Sequence, residues 1–69
     1  MKLSARNVLK GRVTKIRHGV VNSEVVLEVA PGIEVVAIIT RQSAESLDLK
    51  EDSEAYAVIK ASNVMLAVD

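Results

Sequence analysis

"SEVVLEVAPGIEVVAIIT", residues 23–40, decides the fold. Val25, Leu27 and Val29 point one way, while Glu24 and Glu28 point the other. That period of two marks a half-buried strand. Ala30, Pro31 and Gly32 follow, and Pro before Gly is the pattern of a type II turn. Ile33–Thr40 then resumes as a second strand, which makes the stretch a hairpin.

Working outward, Leu9 to Ile16 alternates polar and apolar residues around Gly11, the mark of a strand that bulges or bends. "HGVVNS" (18–23) holds Gly and Asn and reads as a turn. On the other side, "TRQSAESLDL" (40–49) changes period. Thr40 or a close neighbour caps a short helix over 41–48, with Ala44, Leu47 and Leu49 on its inward face. "KEDSE" (50–54) is a charged turn, and "AYAVIKA" (55–61) and "VMLAV" (64–68) are two more strands separated by Ser62 and Asn63. The expected fold is all-β: a five-stranded OB-like barrel with one short helix between strands 3 and 4, in a single domain over 1–69.

The chain has 69 residues, of which 49% are hydrophobic, a large share for so small a core. It has no cysteine, so neither a disulfide framework nor a Cys-based zinc site is available. No apolar leader opens it, and no stretch approaches the ~20 apolar residues of a membrane span. A cytoplasmic protein without a membrane partner is expected. The apolar residues exceed what one barrel interior needs. Val36 and Ile38 oppose Ile33, Val35, Ala37 and Ile39, while Met65 and Ala67 oppose Val64, Leu66 and Val68. Another subunit is the expected cover, with local helix and loops as the alternative.

Net charge is zero, but Lys2, Arg6, Lys10, Arg12, Lys15 and Arg17 all precede the first acid, Glu24. A basic segment of this kind suggests a nucleic-acid-binding OB-like module. Against it, Tyr56 is the one aromatic residue, and single-strand binders stack bases on several. The chain is not expected to be an enzyme. His18 stands alone in a turn, no nucleophile elbow is present, no His pair or calcium loop offers metal ligands, and Gly11, Gly19 and Gly32 lie too far apart for a phosphate loop.

Three segments combine small residues, hydroxyls and a cation: Ser4–Arg6, Thr40–Ser43 and Lys60–Ser62. Read singly, they are helix caps, a surface arginine and a solvated strand end. Read together, they form a coherent oxyanion site, because a tetrahedral oxyanion presents only acceptors. Hydroxyls, Arg, Lys and the free N–H groups of a helix start present donors. No Asp or Glu lies within the three segments. Composition and spacing leave both readings open.

"SARNVLKGRVTKI" (4–16), "GVVNSEVVLEV" (19–29), "ITRQSAESLDL" (39–49) and "AVIKASNVMLAV" (57–68) together resemble the molbindins. These are small cytoplasmic molybdate- and tungstate-binding proteins built from one Mop-type (TOBE) module. "SARN" followed by "VIKAS" is the most specific element. The resemblance implies a five-stranded barrel assembled into a homohexamer, a trimer of dimers, with oxyanions at subunit interfaces. It implies molybdate or tungstate as ligand, no organic cofactor, no direct protein ligands to a metal, and a role in storage or homeostasis. Ser4 and Arg6 would come from one subunit, and Thr40, Ser43, Lys60, Ala61 and Ser62 from its neighbour. A second oxyanion site would use backbone around Gly19, Val20 and Val21, with His18 beside it.

Overall fold

The computed structural model describes residues 1–69. Four strands, β1 (Asn7–His18), β2 (Asn22–Ala30), β3 (Ile33–Thr40) and β4 (Glu54–Ile59), form one curled antiparallel sheet of order β3-β2-β1-β4. A helix, α1 (Arg41–Ser46), follows β3, and a single 3-10 turn covers Ala61–Asn63. The hairpin closes where Ala30 faces Ile33. Gly32 sits at φ 75°, the conformation that the third position of a type II turn requires.

β1 is the spine of the sheet. Its first half, Asn7–Arg12, pairs with β4, and its second half, Arg12–His18, pairs with β2. The change of partner needs a bend, and two features supply it. A register shift falls between Val13 and Lys15, leaving Thr14 as the extra residue, whose hydroxyl donates to the Val26 carbonyl at 3.3 Å. At Gly11 β2 crosses so closely that an added Cβ would lie 2.5 Å from the Glu28 carbonyl oxygen.

Val13, Val25 and Leu27 form the core, with Ile16, Val29, Ile39, Leu49, Ala55 and Ala57 packed against it. In α1 the Thr40 side chain caps the first turn, accepting the Ser43 N–H at 3.0 Å, and Ala44 is buried. Thr40→Ala is expected to lower stability by about 1 kcal/mol through loss of this cap, read as a shift in Tm. Leu47 departs from its expected inward position. The helix stops after one and a half turns, with Leu47 as its C-cap and Asp48 at φ 53°, so Leu47 is exposed while Leu49 packs inward.

The fifth strand expected at Val64–Val68 is absent, so the barrel of the single chain is open. β3 pairs only with β2 and β4 only with β1; the outer edges of both are free. Val64 is extended (φ −92°, ψ 126°), yet the segment meets no partner, and Met65, Leu66 and Val68 are over 90% exposed. Alternating apolar residues favour a strand, but a strand exists only where another strand's N–H and C=O groups meet it. Only six of 69 residues are buried, and the radius of gyration is 12.6 Å, against about 11 Å for a compact chain of this length. The isolated chain leaves much of its apolar surface uncovered.

Candidate functional site

The last rung of the β1–β4 ladder joins Asn7 to Ile59, and the Asn7 amide also donates to the Ile59 carbonyl at 3.2 Å. Past that rung both chains leave the sheet at the same end. Ser4–Arg6 and Lys60–Asn63, more than fifty residues apart in sequence, therefore meet. They line an open cleft of about 700 Å³, completed by Val58.

No carboxylate lines the cleft. Lys10 pairs with Glu54 at 3.5 Å, Arg12 with Asp52 at 2.6 Å and Glu28 at 3.6 Å, and Lys50 with Asp48 at 3.6 Å. Arg6 and Lys60 form no such pair, so both charges stay available. The 3-10 turn begins here, with the Asn63 N–H bonded back to the Lys60 carbonyl at 2.9 Å. The first N–H groups of a helical turn have no partner within it and point outward. The cleft thus offers a planar guanidinium, an ammonium, two serine hydroxyls and backbone N–H groups. That donor set suits an anion that only accepts.

Of the residues singled out in the sequence, Ser4, Arg6, Lys60, Ala61 and Ser62 converge in this one cleft, all from the same chain. Thr40 and Ser43 do not line it; they lie at the β3–α1 junction. The Thr40 hydroxyl donates to Ser43 Oγ at 2.7 Å while accepting the Ser43 N–H. Its own proton is thereby committed, and Ser43 O–H is the free donor of the pair. Asn63 also lines the cleft, and its place one turn after Lys60 becomes visible only once the 3-10 geometry is known.

Gly19, Val20 and Val21 form the exposed β1–β2 connection. The Gly19 N–H already donates to the Asn22 carbonyl at 2.7 Å, so it is not a free donor, whereas those of Val20 and Val21 make no backbone bond. His18 Nδ1 lies 2.7 Å from the hydroxyl of Ser23, a buried residue. That contact holds the ring beside the connection.

The TOBE domain model matches residues 3–66. "Molybdenum-pterin-binding protein 3" of Clostridium pasteurianum is 50% identical over 66 residues, covering 96% of this chain and 97% of that protein. The chain belongs to the Mop/TOBE molbindin family. Solved structures agree with this molbindin along its whole length. A molybdate-binding protein from Sporomusa ovata is 35% identical and superposes with a TM-score of 0.92, covering 99% of this chain and 100% of that one. The cytoplasmic molybdate-binding protein ModG, in a form with molybdate bound, is 46% identical with a TM-score of 0.94, covering all of this chain and 49% of that one.

Proposed function

We propose that this molbindin binds molybdate or tungstate at subunit interfaces of a homo-oligomer, a hexamer built as a trimer of dimers, for storage or homeostasis of the anion in the cytoplasm. The observation that carries the reading is the meeting of Arg6 and Lys60, both without acidic partners, with Ser4 and Ser62 in a cleft free of carboxylates. The Sporomusa ovata protein and ModG are described as molybdate-binding and the Clostridium relative as molybdenum-pterin-binding, which supports a molybdenum species as the ligand class. Ser43, through its free hydroxyl proton, and Thr40 complete the site from a neighbouring copy, and the assembly completes a five-stranded OB-like barrel over 1–69. No aromatic ring lines the cleft, so nothing there would stack on a pterin. We therefore assign the bare oxyanion, without an organic cofactor.

Calorimetric titration with molybdate, tungstate, sulfate and phosphate tests this. Binding of the two larger anions supports it, and heat only on adding an oligonucleotide favours the nucleic-acid module instead. Lys10 and Arg12, in the basic segment which that alternative needs, are paired with acids.

A second oxyanion site uses the N–H groups of Val20 and Val21, with Gly19 shaping the turn.

A further inference from the structure

We infer that His18 is a further oxyanion-binding residue, held by the buried Ser23 hydroxyl as the neutral tautomer with its proton on Nε2, and that this N–H donates to an anion at the Gly19–Val21 connection. The inference rests on the second oxyanion site proposed above and names a side chain for it.

The tautomer follows from the hydroxyl. Ser23 is 1% exposed, and its Oγ has one polar partner, His18 Nδ1 at 2.7 Å. Were Nδ1 to carry a proton and donate, the Ser23 proton would be left without an acceptor in a place closed to water. An orphaned buried donor costs about 1–3 kcal/mol. If Ser23 donates instead, every buried side-chain polar atom is satisfied, as the structure has it. Nδ1 is then the acceptor, and the ring proton sits on Nε2. Ser23 is thus a positioning residue, acting through His18.

The consequence is a change in what the ring presents. A neutral imidazole has one lone pair and one N–H. Ser23 covers the lone pair from the interior, while His18 itself is exposed. Nε2 lies on the ring edge away from Ser23, so the edge turned outward is a donor only. That suits an anion which only accepts.

The surroundings supply the charge that a neutral ring lacks. His18–Ser23 is the last rung of the β1–β2 ladder before the connection, where the Val20 and Val21 N–H groups make no backbone bond. The Arg41 N–H donates to the Val21 carbonyl at 2.8 Å, which holds that residue's backbone against the connection. Neither Arg17 nor Arg41 forms an ion pair, although Glu24 lies opposite Arg17 and Glu45 lies four residues beyond Arg41. No Asp or Glu occurs within 17–23 or 38–44.

Long-range nitrogen–proton correlation NMR of the full chain, titrated with molybdate at neutral pH, tests this. The expected spectrum shows the Nε2–H tautomer before the anion is added, and molybdate then moves Nε2 together with the Val20 and Val21 amides. A ring protonated on Nδ1, or averaging between tautomers, overturns the inference. In His18→Gln the amide nitrogen takes the place of Nε2, so most of the affinity read from those two amides should survive. In His18→Phe it should fall about ten-fold or more, the effect of a lost hydrogen bond to a charged group. Affinity unchanged in His18→Phe, or lost equally in both variants, contradicts a donor role. Ser23→Ala should release the tautomer and weaken binding at the connection, and a ring still fixed as Nε2–H would remove Ser23 as its positioner. Val20 and Val21 amides that stay still at saturating molybdate in the unaltered protein remove the second site and this inference with it. Amides that move in the unaltered protein and equally in His18→Phe remove the inference alone.

Discussion

Lys60→Ala is expected to weaken molybdate binding roughly 10- to 150-fold, the effect of losing a charge-assisted hydrogen bond worth ~1.5–3 kcal/mol. Lys60 is exposed and forms no ion pair within the chain, so its removal should leave Tm unchanged. That separation matters: a loss of affinity without a loss of stability places the side chain at the ligand. Arg6→Ala should act in the same direction. Lys60→Arg should recover only part of the affinity, because a planar fork on a longer side chain places its donors differently from a compact ammonium. Calorimetric titration reads all three, and an unchanged affinity in Lys60→Ala would remove the cleft as the binding site.

Gly11→Ala is expected to be the most damaging small substitution, costing about 3 kcal/mol and lowering Tm by roughly 15 °C at fixed protein concentration. The added methyl would sit 2.5 Å from the Glu28 carbonyl oxygen and 2.8 Å from Leu27 Cγ. The first of these is backbone, held by the β2 pairings on both sides, and cannot swing away as the end of a long side chain can. Relief requires β1 and β2 to separate where β1 passes from one partner to the other. The same rung region aligns Asn7 with Ile59 and thereby Ser4–Arg6 with Lys60–Ser62. A variant that still folds should therefore also bind oxyanion less tightly. Thermal unfolding followed by circular dichroism checks the first effect, and an unchanged Tm would show that the close approach is not rigid.

The hairpin of β2 and β3 was legible because local signals agree: the period of two, Pro31 and the left-handed Gly32 all specify the same turn. The bend in β1 was legible from Gly11, but its cause was not, since the Glu28 carbonyl that demands a glycine arrives from another strand. Val64–Val68 shows a further limit. Side-chain alternation reports what a segment is able to do, and whether a strand forms depends on an edge that this chain does not bring to it. Leu47 was misplaced because periodicity carries on past the residue where hydrogen bonding ends the helix. At the candidate site, the residue types around Lys60 were readable, while their convergence with Arg6 in one chain depends on the β1–β4 register. The commitment of the Thr40 proton to Ser43 lies beyond any sequence pattern, because it is set by the rotamers of a cap.

Native mass spectrometry of the full chain with molybdate present, and with sulfate as control, tests the central claim most directly. The account predicts a homo-oligomer, a hexamer at full assembly, carrying bound molybdate, with Lys60→Ala forming the same assembly and retaining less of the anion. A chain that stays monomeric, or an assembly that takes up no molybdate, would contradict it.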